Sequence, residues 1–353
     1  MPPPNTSPME TILFLAHTES DGSLSQAARE SLAAAKDLTT ALAGSVLVAG
    51  LVGAEVKSAA NQIAGCAATR FLGVAGPDYA TSRYSSDIVA VESLARTTAA
   101  TIVIAPATSR WNRVLAGAAQ RLGGRIDSHV TAIATEDGQP GITRWYYRQR
   151  MEGIVQRTRR PWFILLDPGC GGAWTGAPGL AQVESISPVL TDSNKRTTVA
   201  GFQSPSADQQ TIRPDAKLLF VAGAGWTKAQ SDGKPHPEEA EQLILGFLAQ
   251  SKASLGSTKS LVDLSGEGQE VLKFMTHLNQ VGQTGSTPRH PKGLATCCHG
   301  EEPHTVGWRF INERRAVNLN PNCSWAQGKA DVLYVADAFA VMRKVNALLA
   351  ERH

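Results

Sequence analysis

Apolar residues in the first half of the chain alternate between unbroken runs and helical stripes. Residues 11–16 are apolar almost throughout, with no polar alternation, the mark of a strand covered on both faces. Leu24, Ala28, Leu32, Ala35, Leu38 and Leu42 then recur at steps of three or four and predict a helix with one buried stripe. Ser23 or Ser25 can cap its start and Gly44 can end it. Further strands are expected over 46–52, 70–74 and 101–105, with helices over 87–98 and 113–122. Strand–helix–strand repetition of this kind implies a mostly parallel sheet with right-handed crossovers.

The rhythm changes near His129. Strand-like runs over 130–135, 142–148, 154–157 and 162–166 follow at short intervals, with a turn at 137–141, and predict an antiparallel extension of that sheet. Residues 185–210 are rich in Ser, Thr, Pro, Asp and Gln and read as a linker. A second alternating pattern follows: strands over 218–222, 260–264, 294–296, 316–318 and 332–335, helices over 238–249, 271–278 and 339–350. The expected fold is two α/β domains, over 1–190 and 211–353, joined by a linker over 191–210.

Composition narrows the class. At roughly 150 residues per domain, 353 residues agree with two domains. Hydrophobic residues at 42% against charged residues at 18% make the chain globular rather than disordered. A net charge of +3 gives no reason to expect nucleic acid as a partner. No apolar run approaches the ~20 residues of a membrane span, so no membrane insertion is expected. The first ten residues lack the basic and apolar regions of a secretory signal. Five cysteines do not make a disulfide framework, and a reduced, cytoplasmic compartment fits best.

Four constellations could carry chemistry. Arg144 to Arg150 interleaves Arg with Trp145, Tyr146 and Tyr147, and Arg157, Arg159 and Arg160 follow. Such a ribbon could stack nucleic-acid bases. Strand alternation alone, with the Arg residues on a solvated face, accounts for it better, and a patch that meets a partner protein is a third use. Cys297, Cys298, His299, His304 and Cys323 suggest a metal, but adjacent strand residues point to opposite faces, so the spacing is poor. Ala222-Gly-Ala-Gly225 follows a strand, where a phosphate loop belongs, yet neither the third glycine of the dinucleotide fingerprint nor a Gly-Lys-Ser/Thr sequence is there. Gln280-Val-Gly-Gln-Thr-Gly285 frames donor–acceptor side chains with glycines. It suits close approach to a flat heterocycle, or an ordinary polar turn.

At Gln280-Val-Gly-Gln-Thr-Gly285 the C-terminal half resembles the α subunit of electron transfer flavoproteins, which carries the same motif. His299-Gly-Glu-Glu-Pro-His304, Asn318-Leu-Asn-Pro321, Ala336-Asp337-Ala338, Gly256-Ser-Thr-Lys259 with Val262-Asp263, and Val221 to Lys228 follow the family's spacing. Asp21 to Ser25, Ala34 to Lys36 and Ala105 to Thr108 have looser counterparts.

The resemblance implies a doubly wound C-terminal domain that binds FAD, and a β subunit as partner in a heterodimer. It further implies electron transfer from a flavoprotein dehydrogenase donor to an acceptor such as a quinone oxidoreductase, with no catalytic residues and no metal. By position Thr284 would reach flavin N5, Lys259, with Thr258 beside it, would flank the ring, and His304 would lie near the pyrimidine oxygen. Gln280, Val281, Gly282 and Gln283 would line the ring and ribityl region, and Asn318, Asp337 and Ala338 the adenosine end. Gly225 and the run His299, Gly300, Glu301, Glu302, Pro303 would complete the set. A cation or donor near N1 and O2 favours added electron density on the ring, which suits Lys259, His304 and Thr284. Three departures from the family stand out: its diphosphate-side Arg falls on Gly225 with Trp226 next to it, its ring-side Arg is Lys259, and Glu301 and Glu302 replace small apolar residues. A flavin-less structural subunit and a nucleotide-binding α/β enzyme are the rival readings.

Overall fold

The computed structural model describes residues 9–146, 151–201, 212–213, 215–263, 272–282, 287–296, 310–321 and 330–351. The chain divides into two compact units, Met1–Phe202 and Gln203–His353. The first contains β1 (Thr11–His17), α1 (Gln26–Ala41), β2 (Val46–Gly53), α2 (Lys57–Gln62), β3 (Arg70–Ala75), α3 (Tyr84–Thr98), β4 (Ile102–Pro106) and α4 (Ser109–Arg121). Then come β5 (Arg125–Glu136), β6 (Gln139–Tyr146), β7 (Met151–Gln156), β8 (Trp162–Leu166), β9 (Val183–Ser185) and α5 (Asp192–Lys195). The strands form one nine-stranded sheet, in the order β7-β6-β5-β8-β4-β1-β2-β3-β9.

All neighbours pair in parallel except β5–β6 and β6–β7, which form the expected antiparallel extension. Successive residues of β1 serve opposite faces. Ile12, Phe14 and Ala16 pack with Leu32 and Ala35 of α1. Leu13 and Leu15 pack with Leu94 of α3 and Val114 of α4. Two covered faces leave no position for a polar residue, which explains the unbroken apolar run. Ser25 caps α1, its side chain accepting from Ala28 N, and Asp137 and Gly138, both with positive φ, turn β5 into β6.

Two arginines of the ribbon bond a buried carboxylate instead of lying on a solvated face. Arg144 does not face solvent: its Nη1 donates to Asp127 Oδ1 at 2.8 Å. Arg157 Nε and Nη2 donate to the two oxygens of the same carboxylate, each at 2.9 Å, and Trp162 Nε1 adds a fourth bond at 2.9 Å. Asp127 is 1% exposed. Arg160 forks onto buried Glu10, and Arg159 Nε donates to Gly123 O. The signal in the sequence is Asp127 itself, a carboxylate near the start of β5 and ahead of the run read as a strand. Tyr147, Arg148 and Arg150 lie outside the described residues.

Part of the stretch expected as linker is tied to this unit. β9 pairs with β3, Ile186 N donates to Gly73 O at 2.8 Å, and Ser85 Oγ donates to Asn194 O of α5 at 2.6 Å. Lys195 adds an ion pair with Asp78 at 3.2 Å.

The second unit contains β10 (Leu218–Ala222), α6 (Pro237–Ser251), β11 (Ser254–Ser257), α7 (Lys259–Asp263), β12 (His290–Thr296), β13 (Ile311–Asn318), β14 (Val332–Val335) and α8 (Ala338–Ala350). Its five strands, ordered β11-β10-β12-β13-β14, all run parallel. Phe220 and Ala222 face α6 and α8, and Leu219 and Val221 face the other core.

Two expectations fail here. Residues 260–264, expected as a strand, fall on helix α7 as far as Asp263, because Leu261 and Val262 bury as one helical turn. Of residues 271–278, expected as a helix, the described part is turns leading into a single 3₁₀ turn at His277–Asn279. The strand actually present, β11, is Ser-Leu-Gly-Ser, too short and too polar to announce itself by apolar pattern. All four residues are buried, and a Cβ on Gly256 would lie 2.5 Å from Val281 Cγ2, so small size is what the packing demands. Among the described residues no helix is long and apolar enough to cross a membrane.

Removing the Asp127 carboxylate strands two guanidinium groups and an indole N–H. Asp127→Ala is expected to cost about 3 kcal/mol, measured by urea denaturation. Burial pushes the Asp127 carboxyl up, but hydrogen bonds from Arg157, Trp162 and Arg144 and the Arg157 charge outweigh it and hold the group below the usual carboxylate range. Its contribution is therefore complete above the unfolded value and is lost as pH falls toward the folded one. The stability gap between parent and Asp127→Asn should narrow once pH drops below about 4; a constant gap down to about pH 2 would contradict the assignment.

Candidate functional site

Parallel pairing in the second unit brings every strand's carboxyl end to one edge. Ala222 of β10 is in register with Ser257 of β11 and with Thr296 of β12, Thr296 with Val317 of β13, and Asn318 with Val335 of β14. Open α/β sheets bind ligands outside that edge. Residues far apart in the sequence therefore converge there.

One seam is well defined. Val281 N donates to Ser257 O at 3.0 Å, and Ser257 and Gln280 form an isolated parallel bridge. The backbone of Gln280 and Val281 thus runs beside the last residue of β11. Thr258 follows, 2% exposed, with its N–H on Ala222 O at 2.9 Å. Gly282 has φ +84, a conformation costly for other residues, and its N–H donates to Thr287 Oγ1 at 2.8 Å. Asn279, 1% exposed, reaches back to Leu255 O. Ser257 Oγ is buried with no hydrogen-bond partner. An unsatisfied buried hydroxyl is uncommon and marks a place where another polar group belongs. No pattern in the sequence singled out Ser257. The backbone groups named along this seam bond one another, and the Ser257 hydroxyl is left for a polar ligand.

Lys259 stands at the start of α7, and its charge is shared. Nζ lies 3.1 Å from Asp263 Oδ2, with His277 Nδ1 3.5 Å from the other carboxylate oxygen. Asn318, at the end of β13, accepts from Asn320 N through Oδ1 at 3.1 Å. Asp337 caps α8, its Oδ1 accepting from Ala340 N at 2.7 Å, and Ala338 is buried behind it. Gly225 lies in a buried 3₁₀ turn, Ala224–Thr227, directly after β10.

The structure therefore brings Thr258, Lys259, Gln280, Val281 and Gly282 together at the seam. It sets Gly225, Asn318, Asp337 and Ala338 along the same edge. Gln283, Thr284, His299, Gly300, Glu301, Glu302, Pro303 and His304 lie outside the described residues, as do Cys297, Cys298 and Cys323. Among the described residues no group of His, Cys, Asp or Glu could hold a metal ion.

Residues 12–187 match the family model described as electron transfer flavoprotein domain. No curated protein matches the chain.

Ser257 gives a direct check on the seam. Because its Oγ is unsatisfied, Ser257→Ala should leave the stability of the cofactor-free chain unchanged or raise it by up to about 1 kcal/mol, read from urea midpoints. A loss greater than that would mean that the hydroxyl already has a partner.

Proposed function

We propose that the chain, whose residues 12–187 match the electron transfer flavoprotein domain model, is the α subunit of a heterodimeric electron transfer flavoprotein that holds one FAD on its second unit. The bound flavin would supply electron exchange, taking electrons from flavoprotein dehydrogenases and releasing them to a downstream acceptor such as a quinone oxidoreductase. The observation that carries this reading is the seam: Gln280 and Val281, the start of the glutamine–glycine motif, lie beside the end of β11, where the buried Ser257 hydroxyl is unsatisfied.

The chain's own part is to bind and to orient. Gln280 would offer its side-chain amide and Gly282 its carbonyl to one edge of a flat ring, and Ser257, at the end of β11, and Thr258 after it would offer hydroxyls. Lys259 places a cation at that end. Its share is limited, because Asp263 already draws on it and its side chain is 53% exposed. No nucleophile–base pair stands among these residues, which suits a carrier whose carbon chemistry belongs to its donor. A cytoplasmic location and a β subunit as partner belong to the same proposal.

Coexpression with a β subunit, followed by absorbance spectroscopy and cofactor extraction, tests it. A 1:1 complex with a flavin band near 450 nm, bleached by a flavoprotein dehydrogenase and its substrate, is expected. A colourless complex would favour the flavin-less subunit, and turnover without any partner would favour the independent enzyme. In the complex, Lys259→Met should lower the potential of the first flavin reduction by the equivalent of about 1 kcal/mol or less. Unchanged potentials in a redox titration would place Lys259 away from the ring.

A further inference from the structure

The strands of the second unit reverse their connections at one place. From β10 the chain crosses through α6 to β11 on one side, and from β12 it continues to β13 on the other. In doubly wound sheets the crevice between two such strands receives a nucleotide's phosphates, against the helix that follows the first strand.

That crevice is closed here. Gly223 N donates to Thr296 O at 2.8 Å, which prolongs the pairing of β10 with β12 beyond the end of β10. Three residues later Trp226 lies fully buried, its Nε1 donating to Thr296 Oγ1 at 2.9 Å. Thr296 Oγ1 donates in turn to Val221 O at 3.2 Å. The indole packs on Phe339 in the first turn of α8, with ring centroids 4.6 Å apart and planes tilted by 52°. It belongs to the core on the face that carries α6, the side on which phosphates would lie.

Helix α6 is equally unsuited to an anion. Pro237 at its start has no N–H, Glu238 and Glu239 occupy its first turn, and the nearby Arg343 is engaged by Glu239. The indole thus bars a phosphate from the turn sterically, while the start of α6 only lessens the attraction that would hold one there.

We infer that Trp226 is a specificity-determining residue. Its indole takes the place that a diphosphate needs over β10, so the second unit rejects nucleotides that bind by that route, nicotinamide dinucleotides among them. Resting on the proposed function, the inference adds that FAD is accepted from the seam at Ser257 and Gln280, and that its diphosphate does not lie over β10.

The full chain with Trp226→Gly and Trp226→Phe tests this, with ADP as probe and calorimetry as readout. Trp226→Gly should bind ADP at least tenfold more tightly than the parent, and Trp226→Phe should match the parent. A folded Trp226→Gly chain, verified by circular dichroism, with no gain in ADP affinity overturns the inference. Should that variant fail to fold, the emission of Trp226 decides, isolated as the difference between parent and Trp226→Phe. Saturating ADP leaves it unchanged if the crevice is closed, and a shift in that difference overturns the inference. FAD content of the parent is scored separately. A parent without FAD but with the Trp226→Gly gain refutes the cofactor reading and leaves the exclusion standing. A parent with FAD and no such gain does the reverse.

Discussion

Parallel strand pairing is the constraint from which the rest of this molecule follows. A parallel sheet needs long crossovers, and those crossovers cover both faces, so its strands must be apolar on both sides. It also sends all its carboxyl ends to one edge. In the second unit this places Ser257, Ala222, Thr296, Asn318 and Val335 on a common line, although they are spread over more than a hundred residues. Side chains that could serve a ligand need only follow a strand end to be near one another.

Carboxylates organise the first unit where the apolar pattern leaves off. Asp127 gathers β5, β6, β8 and the segment before β8 through four hydrogen bonds. Asp87 does the same between α3 and α4, receiving Arg110 at 2.6 and 2.9 Å in a pair shielded from water. Such pairs fix geometry more than they add stability, since desolvation offsets much of the attraction. Exposed pairs such as Arg70–Glu184 contribute little by comparison. The same shielding acts on His17, which packs near Trp111: burial, with Arg110 adding to it, pushes its imidazole below the usual range.

The carboxyl edge of the second unit has two sides of opposite character. Over β10 the polar groups of the turn are satisfied internally: Thr227 Oγ1 donates to Ala224 O and Gln230 Nε2 donates to Gly225 O. Along β11 a buried hydroxyl has no partner, small residues keep the surface low, and Gly282 adopts a backbone that favours glycine. A cofactor held at this edge gains most where the protein has left its own groups unsatisfied.

The sequence by itself determined the layered α/β class, the order of most strands and helices, the antiparallel extension after His129 and the glutamine–glycine motif. These are local properties, written in apolar periodicity and turn chemistry over a few adjacent residues. Tertiary structure alone decided the rest. β11 is a strand because β10 lends it hydrogen bonds, and Leu261 and Val262 are helical because one turn buries both. Arg144 and Arg157 turn toward the interior because buried Asp127, 17 and 30 residues away, lies within reach of both. Trp226 and Thr296 meet across 70 residues, and no local pattern carries that contact. Periodicity records which face of an element is buried; it does not record what lies against that face. The partner of a buried polar group is set by strand order and register, and those exist only once the sheet has formed.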